Sequence, residues 1–140
     1  MLCLRPASLV GILGVALATG ACGGSSPTAA SETFIQKSES YSGTLNPGET
    51  AGFHFTVENP GSLDASIASL SPISTLTMGL QLGSWDAVTE TCPRQLYTEG
   101  AKVNSVLTGN PQGPGEYCVA IYDIGNLQSP TDFALTVLHY

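Results

Sequence analysis

Short runs of alternating apolar and polar residues constrain the fold of this chain more than any other feature. Such a two-residue period is typical of β-strands with one face in a core. The clearest runs lie at 53–57, 76–82, 117–121 and 133–137, with Gly, Pro, Asn and Asp clustered between runs. An opening strand over 34–45 and a short one near 92–97 bring the count to seven or eight. The pattern predicts an all-β, antiparallel two-sheet β-sandwich.

The amino-terminal segment has the three parts of a secretory signal. Arg5 precedes an apolar run over 8–17, which is too short for the roughly 20 residues of a membrane-spanning helix. Gly20 and Ala21 before Cys22 fit the cleavage site of a bacterial lipoprotein, with Thr19 where a Leu is usual. We therefore expect residues 1–21 to be removed and Cys22 to be lipidated. The alternative is an ordinary signal that leaves a soluble protein.

The cysteine count supports lipidation. The chain has four cysteines, and Cys3 leaves with the signal. Acylation of Cys22 would leave Cys92 and Cys118 as a natural pair in an oxidising compartment. If Tyr117 and its alternate neighbours face the core, Cys118 faces outward, and the disulfide pins the loop over 85–100 onto the outer face of a sheet. By closing the loop between the two cysteines, such a disulfide should stabilise the fold by about 3 kcal/mol.

Residues 22–32 read as a flexible tether, because a Gly-, Ser-, Pro- and Ala-rich segment cannot bury enough surface to fold. Residue 23 is Gly rather than Asp, which, by resemblance to lipoprotein sorting in two-membrane bacteria, favours the outer membrane. The sequence thus predicts a lipid-anchored protein of the bacterial cell envelope. Its organisation is a signal peptide over 1–21, a tether over 22–32 and one β-sandwich domain over 33–140.

Five segments resemble, in order and spacing, bacterial pre-peptidase C-terminal domains: YSGTL at 41–45, NPGET at 46–50, FHFTV at 53–57, GEYCVAI at 115–121 and FALTV at 133–137. The resemblance implies a jelly-roll-like β-sandwich without catalytic machinery. In that family such domains accompany secreted peptidases, and some relatives bind extracellular polymers or calcium. This chain carries no peptidase, and its Cys92 and Cys118 are not required by the general pattern.

Charge and motif content exclude several classes of function. Four Lys and Arg residues stand against eleven Asp and Glu residues, for a formal net charge of −7. Such an acidic chain is a poor partner for nucleic acid. No serine lies in a Gly-x-Ser-x-Gly context, and His54 lies at an outward-facing position of its strand. We therefore expect a monomeric protein that is not an enzyme.

Two regions are candidates for binding. Trp85 lies just beyond a strand end; we expect it to cap the open end of the sandwich, and the alternative is that it stacks on a ligand. Tyr97 and Tyr122 are expected near the same disulfide-held loop, which makes these three aromatic residues a candidate ligand surface. Within one connection, three side chains offer oxygen ligands for calcium: Asp123, Asn126 and Asp132. A turn rich in such residues explains them equally.

These observations predict a non-enzymatic binding or structural module presented at a membrane surface. One alternative is an accessory or inhibitory domain for a separately secreted peptidase. Another is a module that binds an extracellular polymer, such as a glycan or a collagen-like chain, through the loop over 85–100.

Overall fold

A computed structural model describes residues 33–140, which form eight β-strands. The predicted signal peptide, the lipidation site Cys22 and the tether over 22–32 lie outside the described residues. Residues 33–140 contain no helix that could cross a membrane. The strands are β1 (Lys37–Leu45), β2 (Thr50–Val57), β3 (Leu63–Ser71), β4 (Met78–Ser84), β5 (Leu96–Ala101), β6 (Val106–Gly109), β7 (Gly115–Tyr122) and β8 (Thr131–His139).

The strands form two four-stranded sheets. Sheet 1 has the order β1-β8-β3-β6 and sheet 2 the order β2-β7-β4-β5, and all neighbours within a sheet are antiparallel. Strands that follow one another in the chain mostly lie in different sheets, which gives the strand order of a jelly roll. The predicted two-sheet β-sandwich is confirmed.

Alternation along the strands builds the core between the sheets. Strand β8 shows it most clearly, because Phe133, Leu135 and Val137 are buried while the residues between them are partly exposed. The same period directs Val119 and Ile121 of β7 inward from the opposite sheet. The expected interior faces of β7 and β8 are therefore the observed ones, and the fully buried side chains include Leu45, Val57, Ile67, Met78 and Leu80.

Two turns carry the backbone geometry that their glycines allow. Gly48 has a φ of 79°, and the Glu49 N–H donates to the Asn46 carbonyl at 3.1 Å, closing the β1–β2 turn. Gly125 has a φ of 96° in the β7–β8 connection. Positive φ at these positions strains any residue with a β-carbon, so glycine suits both turns.

The strand predicted near 92–97 is misplaced. Strand β5 begins only at Leu96, and residues 92–95 instead cross the outer face of sheet 2. Pro93 has no backbone N–H to give to a ladder, and Cys92 is held by its disulfide. At the amino-terminal end, β1 starts at Lys37 rather than near residue 34.

A polar cluster closes the sandwich beside β1. His139 faces inward with none of its side chain exposed, and its Nε2 lies 3.0 Å from Oε1 of Glu39. Its ring stacks on Phe55 at a centroid distance of 5.3 Å, and the Tyr41 hydroxyl donates to the other Glu39 oxygen. Burial acts to raise the pKa of Glu39, but the hydrogen bonds from Tyr41 and His139 leave that pKa below its ordinary value.

Candidate functional site

The outer face of sheet 2, turned away from sheet 1, has a floor of very small residues. Gly52 of β2 is paired in register with Ala120 of β7, and Gly83 of β4 with Cys118. Their alternation with core residues directs all four positions outward. Small side chains on three adjacent strands leave a depression that another segment can cover.

The connection between β4 and β5, residues 85–95, covers this depression. The disulfide from Cys92 to Cys118 fixes it to β7, with a Cα–Cα distance of 5.6 Å. Gln81 fixes it to β4, because its Nε2 donates to the Cys92 carbonyl at 2.7 Å and its Oε1 accepts from Arg94 Nε at 3.3 Å. The predicted disulfide is present, and it holds the loop on the outer face as the strand parity required.

Gly83 allows this connection to approach the sheet. A β-carbon at position 83 would lie 2.2 Å from the Pro93 carbonyl oxygen, well inside van der Waals contact. Any larger residue would displace the backbone of the connection. The close packing of Pro93 on the sheet therefore depends on the absence of a side chain at this one position.

The connection contains a tight hairpin of its own. Asp86 and Thr91 form an antiparallel bridge with N–H···O distances of 3.1 and 3.2 Å, and the Asp86 carboxylate accepts the backbone N–H groups of Val88 and Thr89. Hydrogen bonds from Thr89 and from the Val88 N–H keep the pKa of Asp86 below its ordinary value. The turn ends at Glu90, whose φ of 52° lies in the left-handed region.

A cavity of about 390 Å³ lies between the connection and the sheet. This volume falls near the lower end of the range for small-molecule sites. Its floor and wall include an aromatic ring, a carboxylate, hydroxyl groups and one cysteine of the disulfide. The lining residues are Thr50, Gly52, Trp85, Glu90, Thr91, Cys92 and Ala120.

Trp85 does not cap the end of the sandwich as expected. Its indole stacks on the imidazole of His54 with centroids 4.9 Å apart, on the outer face of sheet 2. The backbone N–H of Trp85 donates to the Glu116 carbonyl, so the chain leaves β4 alongside β7. The Trp85 side chain then turns back over β2. His54 projects outward as predicted, and the ring that it supports forms part of the cavity wall.

The two tyrosines of the predicted ligand surface lie beside the cavity rather than in it. Arg94 lies over both rings, with its Cζ 4.3 Å from the centroid of Tyr122 and 5.1 Å from that of Tyr97. Tyr97 is half exposed, but Tyr122 is only 4% exposed and packs on Gly79. Tyr122 therefore offers no free surface, and of the three aromatic residues only Trp85 lines the cavity.

The residues considered for calcium have structural partners. Oδ1 of Asp123 accepts the N–H groups of residues 125–127, and Oδ2 accepts that of Gly48. Asn126 donates to the Thr77 carbonyl, and Asp132 accepts the Thr44 hydroxyl. Over residues 33–140, no three His, Cys, Asp or Glu side chains are grouped so that they could hold a metal ion. Calcium binding by this connection stays a prediction.

The contributors to the site that sequence analysis did not identify differ in how visible they are in the sequence. Gly52 and Ala120 have no chemistry of their own, and they matter only because the register places them side by side. Gln81 is a polar residue in an otherwise apolar run, which could have pointed to a special partner for its amide. Asp86 followed three residues later by Thr89 is the signal of a side-chain-capped turn.

Comparison with known proteins yields no matching family model and no similar curated protein. The chemistry of the cavity therefore rests on its own residues. An aromatic wall, one carboxylate and two threonine hydroxyl groups around a small concave space form an arrangement suited to binding.

Proposed function

We propose that this protein is a non-enzymatic lipoprotein of the bacterial cell envelope, and that its β-sandwich is a binding module presented at the membrane surface. The cavity under the β4–β5 connection is the observation that carries the proposal. Its wall is fastened by a disulfide, a buried glutamine and a backbone approach at Gly83. A loop restrained in this way presents a preformed surface, which lowers the entropic cost of binding.

Anchoring follows from the sequence around Cys22, and the disulfide suits the same exported setting, because such bonds persist outside the cytoplasm. The resemblance to pre-peptidase C-terminal domains also supports a module without catalytic residues. In that family the domains accompany peptidases, so an accessory role for a separately secreted enzyme is an alternative within the same proposal.

Recognition of an extracellular polymer is the second candidate, and the position of Trp85 favours it. Trp85 lines the cavity together with Thr50 and Thr91. Aromatic rings and hydroxyl groups are the side chains that contact sugars and extended peptides. A polymer would bind by inserting one of its residues or sugar rings into the cavity from the open side.

Anchoring is tested by metabolic labelling with a fatty acid. We expect label on the natural protein and none on Cys22→Ser. Equal absence of label from both proteins would contradict the lipoprotein proposal.

Binding is tested by filling the cavity. A β-carbon at Gly52 would lie 3.8 Å from the β-carbons of Ala120 and Cys92, so Gly52→Phe places a ring in the cavity without a backbone clash. Thr56→Phe, on the outer side of the same strand, is the matched control. A panel of glycans, collagen-like peptides and charged peptides is titrated while Trp85 fluorescence is followed. We expect a response that Gly52→Phe removes and Thr56→Phe keeps; a spectrum unmoved by the whole panel would contradict the proposal.

A further inference from the structure

We infer that the cavity binds a positively charged group, the ammonium or guanidinium head of a lysine or arginine side chain carried by a protein or peptide. The inference rests on the proposed function, since it names the ligand chemistry of the same cavity. It is carried by Glu90, by the composition of the cavity wall and by the charge of the domain.

Glu90 stands apart from the other acidic side chains. Of the ten Asp and Glu side chains in residues 33–140, it alone has no hydrogen bond or ion pair to another described residue. Glu99 forms an ion pair with Arg94 at 3.6 Å. The other eight accept hydrogen bonds from side chains or backbone: Glu39 from His139 and Tyr41, Glu49 from Asn46, Glu58 from Lys37, Asp64 from Thr108, Asp86 from residues 88 and 89, Glu116 from Thr56, Asp123 from the backbone and Asp132 from Thr44.

The backbone at Glu90 strengthens this distinction. Its φ of 52° is a conformation that Gly, Asn or Asp adopts with less strain than a long side chain. The turn alone would be better served by one of those residues. Glu90 thus lines the cavity, is exposed and has no partner among the described residues, so its carboxylate is available to a ligand.

The rest of the wall suits a cation. The Trp85 ring has a negative face that attracts ammonium and guanidinium groups. Thr50 and Thr91 offer hydroxyl oxygens that accept hydrogen bonds from such a head group. None of the lining side chains is positively charged, and the nearby Arg94 is already engaged by Tyr122, Tyr97 and Glu99. An anionic ligand would meet repulsion from Glu90 and no compensating charge.

Size and overall charge favour a basic side chain on a larger partner. A cavity of about 390 Å³ has room for a single extended lysine or arginine side chain. The described residues carry ten acidic side chains against Lys37, Arg94 and Lys102. Their summed field attracts a basic protein or peptide and increases its rate of association.

The test uses Trp85, the only tryptophan of the chain, as the probe. The purified protein is titrated with a lysine-containing peptide, its norleucine analogue, N-acetyl-lysine amide and a neutral oligosaccharide. We expect the lysine peptide to bind most tightly, and Glu90→Gln to weaken that binding about tenfold or more, as loss of a charged hydrogen bond does. Glu116→Gln is the matched control, because Glu116 lies on the outer side of β7 and accepts a hydrogen bond from Thr56. Added salt should weaken binding to the natural protein more than to Glu90→Gln.

Each other outcome has a distinct meaning. Equal binding of the norleucine peptide, or unchanged affinity in Glu90→Gln, would overturn the inference. Binding of N-acetyl-lysine amide as tightly as the peptide would overturn the assignment to a protein-borne side chain. A response to the oligosaccharide alone would overturn the charged ligand while the proposed binding function stands. No response to any probe, nor to the wider panel described above, would overturn both.

Discussion

The imidazole of His139 is paired with the carboxylate of Glu39 at 3.0 Å, although about a hundred residues separate them in the chain. This contact joins the inner side of β8 to the edge strand β1 at one end of the sandwich. The Tyr41 hydroxyl occupies the second oxygen of Glu39, and Phe55 supports the imidazole from sheet 2. A small polar cluster thus replaces apolar packing between the two sheets at the edge formed by β1.

Replacement of Glu39 tests this cluster. We expect Glu39→Gln to lower the free energy of unfolding at neutral pH by about 1 kcal/mol, less than a fully buried charged hydrogen bond because the side chain is about a third exposed. The folded pKa of Glu39 is lowered, so its contribution is present above the ordinary value of 4.5 and is lost as the pH falls through the folded pKa. Urea unfolding across this range should give a shallower acid dependence for Glu39→Gln. Parallel curves for the two proteins would contradict the prediction.

Removal of the disulfide tests the restraint on the cavity wall. Simultaneous Cys92→Ser and Cys118→Ser substitution should lower the free energy of unfolding by about 3 kcal/mol, because the bond closes a loop across a sequence separation of 26 residues. Ligand binding should weaken as well, since Cys92 is part of the lining. Thermal unfolding with and without reductant measures the effect. Reductant should destabilise the natural protein and leave the double variant unchanged; equal stability in all four conditions would be inconsistent with this role.

Gly79 provides a packing test beside the site. A β-carbon there would come within 2.2 Å of the Tyr122 ring, which is confined beneath Arg94. We expect Gly79→Ala to cost about 1–3 kcal/mol through overpacking. Gly113→Ala is the control, because its β-carbon would meet nothing within 4 Å and should change stability by less than about 0.5 kcal/mol. In a Tyr122→Ala background the cost of Gly79→Ala should shrink; an undiminished cost would mean that the ring is not the obstacle.

Asp123 provides a turn test. Burial acts to raise its pKa, but hydrogen bonds from the N–H groups of Gly48 and residues 125–127 keep that pKa below its ordinary value. Loss of these bonds in Asp123→Ala should cost about 1–3 kcal/mol. The benefit of the natural residue should be present above its ordinary pKa of 3.8 and disappear as the pH falls through the folded pKa. Asp132→Ala, which removes only a bond from the Thr44 hydroxyl, should cost less in the same chemical unfolding experiment. Equal losses of unfolding free energy in Asp123→Ala and Asp132→Ala would argue against the turn hydrogen bonds as the source of the stabilisation by Asp123.

Much of the fold was predictable because alternation reports directly on which face of a strand is buried. It identified β2, β7 and β8, their inward faces and the outward position of Cys118. The position of β5 was not predictable in the same way. Leu96 and Tyr97 are both exposed, so the start of this strand has no apolar alternation to reveal it.

The candidate site was predictable only in outline. Trp85 and the disulfide-held loop were identified, because a lone tryptophan and an outward cysteine are visible in the sequence. The stacking on His54 was missed, because it depends on the path by which the connection turns back over β2. A ligand-binding role for Glu90 was not predicted for a related reason, since its backbone conformation arises from a hairpin closed by Asp86 and Thr91.

The pairing of β1 with β8 has a consequence for the order in which the sheets can form. In sheet 1, β1 has β8 as its single neighbour, so residues 37–45 cannot enter a ladder until residues 131–139 have been synthesised. Strand β2 likewise waits for β7. A chain synthesised from its amino terminus therefore has neither sheet complete until its last strands are available, and if the proposed export takes place, this delay suits a translocation route that requires an unfolded substrate.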